Sequence, residues 1–121
     1  MPANSYISLK LLEEMLLNEV DRMIAKSDNQ SEKVIFELFK SSILKKYQDS
    51  YDVEVLHGGV KDETLDGCIK LAFSKACFIY RQMKDIDDST KEVEITRTKQ
   101  QLPMYKATIA KFLQDKGIKI I

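Results

Sequence analysis

The side chains in this chain that could carry out catalysis are few and far apart. His57 is the only histidine, so a Ser-His-Asp or Cys-His arrangement would have to use it. It precedes Gly58-Gly59, and such a run can form an oxyanion loop, but the sequence contains no Gly-x-Ser-x-Gly nucleophile motif. We therefore predict that His57 ends a short strand before a glycine turn, and that the chain is not an enzyme.

Residues that could bind a metal are scattered in the same way. Cys68 and Cys77 are nine residues apart in a predicted helix, which places them on opposite sides and about 13 Å apart along the axis. They can neither bridge each other nor form a zinc site with one histidine, and two unpaired thiols indicate a reducing, cytoplasmic compartment. Residues 85–89 begin like a calcium loop, but Thr90 and Thr96 replace its glycine and its glutamate. We predict no cofactor and no metal.

Two groups of acidic residues could supply the paired carboxylates of a magnesium-dependent hydrolase. The two groups are Glu13, Glu14, Glu19 and Asp21, and Asp62, Glu63 and Asp66. Such a site needs acids from adjacent helices in one pocket, whereas acids at a helix start also interact favourably with the helix dipole. Solvated helix faces explain both groups more simply, and a hydrolase would require the fold to bring them together.

Basic residues are concentrated towards the end of the chain. The formal net charge is zero, but residues 91–121 contain seven bases and three acids, a net charge of +4. Residues 107–118 are predicted to form a helix, a charged turn and a glycine, an order typical of a helix that lies in a DNA groove. A nucleic-acid-binding regulator is therefore the alternative function. Its candidate contacts are Arg97, Lys99, Lys106, Lys111 and Lys116.

The spacing of apolar residues predicts the elements that position these side chains. Helical periodicity indicates helices at about residues 8–26, 30–47, 62–84 and 103–116. Asn29 and Glu32 have capping-box spacing at the start of the second helix. Pro103 and Gly117 suit the start and the end of the last one. No leader sequence or membrane-spanning apolar run is present, so we predict no membrane partner.

Alternating side chains predict three short strands, at residues 52–57, 93–98 and 118–121. The predicted fold class is therefore α+β, mostly helical, with about four helices and a small sheet of two or three short strands. An all-α helical bundle is the alternative. A length of 121 residues predicts one globular domain, residues 1–121.

The first predicted helix has an unusually broad apolar face. A small domain has few surfaces with which to cover such a face, so we expect part of it to be exposed as an interface; a fully buried face is the alternative. The leading function is a small non-enzymatic binding protein (an inhibitor, adaptor, immunity protein or subunit) that acts by protein–protein interaction. The simplest assembly would be a homo-oligomer with two-fold symmetry. The candidate interface residues are Leu9, Leu12, Leu16, Leu17 and Val20.

Overall fold

Five α-helices make up most of the described part of the chain. The computed structural model describes residues 9–49 and 60–120, with side chains described for 11–44 and 60–120. None of the described helices is long and apolar enough to cross a membrane. The helices are α1 (Leu9–Lys26), α2 (Gln30–Asp49), α3 (Asp62–Arg81), α4 (Asp88–Lys99) and α5 (Leu102–Asp115).

The helices pack around α2 and α3, which share the most extensive interface. Helix α1 packs mainly against α2, α5 contacts both α1 and α3, and α4 contacts α2 and α3. Phe39 of α2 lies where three of the helices meet. Its ring centre is 6.0 Å from that of Phe73 on α3 and 5.3 Å from that of Tyr105 on α5, the latter in an edge-on arrangement that aromatic pairs favour. The core is therefore formed from helix–helix packing.

The predicted helix ends at Asn29 and Gly117 are confirmed. The Asn29 side chain accepts a hydrogen bond from the backbone N–H of Glu32 at 3.0 Å, as a helix N-cap does. Gly117 has a φ of 79°, which glycine adopts without strain. The N–H groups of Gly117 and Ile118 bond to the carbonyls of Gln114 and Leu113, each at 2.9 Å. This pair of bonds is the Schellman arrangement that ends a helix.

The strand prediction at residues 93–98 is wrong, because this segment is the second half of α4. Asp87 caps the helix: its carboxylate accepts hydrogen bonds from the backbone N–H and the hydroxyl of Thr90, at 2.7 and 2.9 Å. The buried positions are Lys91, Ile95 and Thr98, which follow the spacing of a helix face. Only one of the three is apolar, so the helical period does not appear in the hydrophobicity of the sequence.

Two hydrogen bonds allow polar side chains to occupy this buried face of α4. Lys91 donates its ammonium to the carbonyl of Arg81, the last residue of α3, at 2.9 Å. Thr98 donates its hydroxyl to the carbonyl of Glu94 at 2.7 Å. Since buried polar groups are tolerated when they are hydrogen-bonded, α4 packs against its neighbours without an apolar stripe.

The α+β prediction as a whole is also wrong, and the all-helical alternative describes the fold. In the segments with assigned structure, the remaining β-type pairing is one isolated parallel bridge between Val60 and Ile120, where Val60 N–H donates to the Lys119 carbonyl at 2.9 Å. The third predicted strand contributes no more than this bridge. The first, at residues 52–57, lies outside the described residues.

Candidate functional site

An apolar groove lies between α2 and α3 in the described part of the chain. Its volume is about 420 Å³. Helix α3 positions one wall: the side that carries Ala76, Cys77 and Tyr80 is buried in the core, whereas Phe78 and Ile79 face outward and are 65% and 44% exposed. The lining residues are Ser41, Ser42, Ser74, Lys75, Phe78 and Ile79.

The opposite wall of the groove is formed by the short side chains of Ser41 and Ser42 on α2. Ser42 on α2 is buried and donates its hydroxyl to the carbonyl of Leu38 at 2.9 Å, so its hydroxyl does not need a solvent partner. Two other apolar residues of these helices are also exposed, Leu71 of α3 at 44% and Leu44 of α2 at 36%. Small serines beside large exposed apolar groups leave a concave surface that an apolar side chain could fill.

Lys75 is the charged residue of the groove. Neighbouring bases on α3 are already paired: Lys70 with Asp66 at 2.8 Å, and Arg81 with Glu92 at 2.7 Å. Lys75 makes no ion pair with any residue that the structure describes. The groove thus combines an apolar wall with a positive charge that no carboxylate of the described residues pairs.

The residues predicted as an interface on α1 lie mostly in the core. Leu12, Leu16 and Val20 are at most 1% exposed, so they cannot form an exposed surface of this fold. Leu17 is half-buried and packs against the core, and the side chain of Leu9 lies outside the described residues. The broad apolar face is covered because α2 and α5 both pack against α1.

The groove was not predicted from the sequence, because the spacing of apolar residues predicts the wrong buried face for the C-terminal half of α3. That spacing predicts Ile79 in the buried stripe, whereas Cys77 and Tyr80 are buried in its place. The sequence does contain an indication of the groove, because α3 has more apolar residues than its predicted buried stripe includes. Leu71 and Phe78 are seven positions apart and therefore lie on one face of the helix, outside that stripe.

Two of the predicted nucleic-acid contacts, Lys106 and Arg97, already lie beside carboxylates. Lys106 on α5 pairs with Asp62 at 2.9 Å and Asp66 at 3.5 Å, and these carboxylates, Asp62 first, raise the pKa of its ammonium. Lys106 and Lys111 are five residues apart on α5, so their side chains point about 140° apart around the helix, and Lys116 is the C-cap residue that follows it. The positive charge of α5 is therefore partly neutralised and spread around its circumference.

The two predicted contacts on α4 are similarly dispersed. Arg97 lies 3.5 Å from Glu94, and Lys99, the last residue of the helix, is exposed. Helix α4 does immediately precede α5, as a helix-turn-helix pair requires, but α4 packs mainly on α2 and α3, and α5 on α1 and α3. A DNA-binding pair would instead pack one helix against the other.

Two carboxylates of the second predicted acidic group, Asp62 and Asp66, form ion pairs with lysines. Asp62 and Asp66 hold Lys106 as above, and Asp66 also bonds to Lys70, which lowers the pKa of its carboxyl. Asp87, in the segment that begins like a calcium loop, is the N-cap of α4. Within residues 9–49 and 60–120, no three His, Cys, Asp or Glu side chains are grouped so that they could hold a metal ion. His57 lies outside those residues.

Both cysteines are buried side chains of α3. Cys68 and Cys77 are 8% and 4% exposed, and neither forms a disulfide. Burial raises the pKa of the Cys77 thiol, which disfavours the reactive thiolate. A packing role accounts for both residues.

Comparison of the chain with known protein families, curated protein sequences and solved structures gives no match.

Proposed function

We propose that this chain is a small non-enzymatic protein that binds another protein in the groove between α2 and α3. The observation that carries the proposal is the exposure of Phe78, 65% of whose side chain is accessible beside a concave apolar surface. Aromatic side chains next to a pocket are frequent anchors of protein interfaces. Contiguous exposed apolar patches are uncommon on monomers that bind nothing.

The positive charge of Lys75 and the apolar wall of the groove indicate which chemical groups a protein partner would present to it. A matching protein segment would present an apolar side chain to the wall formed by Phe78 and Ile79 and a carboxylate to Lys75. A cytoplasmic location belongs to the same proposal, because both cysteines are thiols and not a disulfide.

Nucleic-acid binding has less support as an alternative function. The five predicted basic contacts include Lys106, which two carboxylates already engage, and Arg97, which lies beside Glu94. Affinity for phosphates grows with the number of cations that reach the backbone together. Lys99, Lys111 and Lys116 would have to supply that affinity.

A matched pair of substitutions tests the groove. Phe78→Asp places a charge in it, whereas Val93→Asp places the same charge at an equally exposed apolar residue of α4 (63% exposed). Loss of an interface anchor typically weakens binding by about thirtyfold or more. We expect affinity purification from cells that naturally produce the protein to recover a partner with the wild type and with Val93→Asp, but not with Phe78→Asp. Equal recovery with both variants would show that the groove is not the binding site.

A further inference from the structure

A second cavity lies on a different side of the fold, where α1 and the N-terminal ends of α2 and α5 meet. Its volume is about 220 Å³, below the range of about 300–1,000 Å³ that is usual for drug-sized ligands. Its walls combine charged groups with the apolar side chains of Met23, Met104 and Tyr105. A compact ligand with both a polar and an apolar part would fit such a space.

Glu19 of α1 lines this cavity and is only 3% exposed. Arg22 donates two hydrogen bonds to the same oxygen, Oε1, from Nη2 at 2.7 Å and from Nε at 3.3 Å. The other oxygen, Oε2, is buried and receives no hydrogen bond in the described structure. An arginine that binds a carboxylate in the usual bidentate manner engages both oxygens, so this arrangement leaves one acceptor open.

An unsatisfied carboxylate oxygen in the interior carries a substantial desolvation cost. Such groups are rare in native proteins, and strain, a bound water or ion, or a functional role explains those that occur. The described residues provide no donor for Oε2, and Glu19 lines the cavity, so a molecule bound there could supply the missing hydrogen bond.

We propose that this cavity binds a small organic cation, a guanidinium or primary ammonium on a short apolar chain, whose N–H group donates to Glu19 Oε2. The Tyr105 ring and the two methionines would contact the apolar chain, and aromatic rings also attract cations. The Arg22 side chain is 51% exposed, so it can turn towards solvent and let the ligand reach the carboxylate.

The other charged groups of the cavity do not oppose this assignment. Glu32 accepts a hydrogen bond from Gln101 Nε2 at 2.7 Å and provides a second carboxylate for the ligand cation. Lys26 is exposed at the C-terminal end of α1. Among the charged lining residues only Glu19 is buried, whereas Arg22 and Lys26 are exposed, so the buried charge of the cavity is negative.

The test uses two probes with the same butyl chain and opposite charge, n-butylguanidinium and pentanoate. Each is titrated into the full chain while backbone amide signals are followed by NMR. We expect n-butylguanidinium to shift signals around Glu19, Gln101 and Tyr105 saturably, and pentanoate to leave them largely unchanged. Equal shifts with both probes, or no saturable shift with n-butylguanidinium, would overturn the proposal.

Two variants test the role of the carboxylate. Glu19→Gln keeps the shape of the side chain but removes its charge, and should weaken n-butylguanidinium binding by about tenfold or more. Glu14→Gln, at an exposed position of the same helix, should bind like the wild type. Circular dichroism shows whether the two variants are folded. If Glu19→Gln does not fold, the comparison of the two probes on the wild type still decides the proposal. Undiminished binding to folded Glu19→Gln would contradict the proposal.

Discussion

The phenol of Tyr105 on α5 donates a hydrogen bond of 2.6 Å to the backbone carbonyl of Leu16 on α1, 89 residues earlier in the chain. Both residues are at most 2% exposed, so the bond lies in the interior. The carbonyl of Leu16 is in the middle of a helix and already accepts a helical hydrogen bond. The Tyr105 hydroxyl therefore joins the last helix to the first without breaking the backbone pattern of either.

Removing this hydroxyl should destabilise the protein. We expect Tyr105→Phe to lower the free energy of unfolding by about 1 kcal/mol, the usual net contribution of a buried hydrogen bond. Tyr80→Phe is the matched control: the Tyr80 hydroxyl is equally buried but has no hydrogen-bond partner in the described structure. Its removal should leave stability unchanged or slightly increased. Urea unfolding of the three proteins measures the difference, and an equal decrease in both variants would contradict it.

Four of the five helices could be predicted from the sequence, because their buried faces are apolar. Leu12, Leu16 and Val20 on α1 show the helical period directly. Helix α4 could not be recognised in this way, since Lys91 and Thr98 occupy two of its three buried positions. Their hydrogen-bond partners lie on another turn or another helix, and this information is absent from a pattern of hydrophobicity.

The N-cap of α4 should make stability depend on pH in the acid range. Hydrogen bonds from Thr90, its backbone N–H first, and from Ser89 hold the pKa of Asp87 below its ordinary value. For such a group, the stabilisation is complete above the pKa of the unfolded chain, about 3.9, and is lost as the pH falls through the lower folded value.

Substitutions at Asp87 separate the cap from its charge. Asp87→Asn keeps an acceptor for the helix and should reduce the loss of stability below about pH 4. Asp87→Ala should lower the thermal midpoint already at neutral pH, while Asp85→Ala, at an exposed neighbouring acid, should not. Thermal unfolding monitored by circular dichroism between acid and neutral pH measures these effects. An unchanged midpoint in Asp87→Ala would argue against the cap.

The cysteines should react slowly with thiol reagents in the native state. Cys68 and Cys77 are buried, and the raised pKa of Cys77 reduces its thiolate fraction at neutral pH. We expect slow labelling of the folded protein and fast labelling of both thiols in urea, followed by absorbance of the released chromophore. Rapid stoichiometric labelling of the folded protein would point instead to a redox or nucleophilic role.

The candidate sites were harder to predict than the fold. In the sequence, α1 and α3 each contain more apolar residues than one buried stripe requires. The sequence does not show on which of the two helices the additional apolar residues are buried by neighbouring helices. Packing of α2 and α5 buries Leu16 and Val20, whereas Phe78 has no covering helix among the described residues. The sequence indicated Glu19 only as one of a group of acids, since only the described structure shows which of its oxygens Arg22 engages.

Self-association at micromolar concentration, first expected through α1, remains a prediction; because Leu12, Leu16 and Val20 are buried, we propose the groove as an alternative site for it. A two-fold pairing of the groove would bring the Lys75 of each copy to the same interface, so added salt should screen their repulsion and strengthen the dimer. Light scattering should give a mass above 14.0 kDa that rises with salt for the wild type and Val93→Asp, but not for Phe78→Asp. A mass of 14.0 kDa throughout a dilution series at every salt concentration would rule it out.

Nucleic-acid binding, if it exists, should be electrostatic and confined to residues 91–121. Because Lys106 is paired with Asp62 and the bases of α5 point in different directions, we expect the wild type to cause no retardation of duplex DNA at low salt. The informative variant replaces Lys106, Lys111 and Lys116 by glutamine. If these residues did bind phosphates, the slope of log affinity against log salt concentration would become less negative, by about 0.9 for each phosphate that the variant no longer binds. A salt-sensitive shift at sub-micromolar protein that the triple variant abolishes would place a nucleic-acid-binding regulator ahead of the protein-binding function.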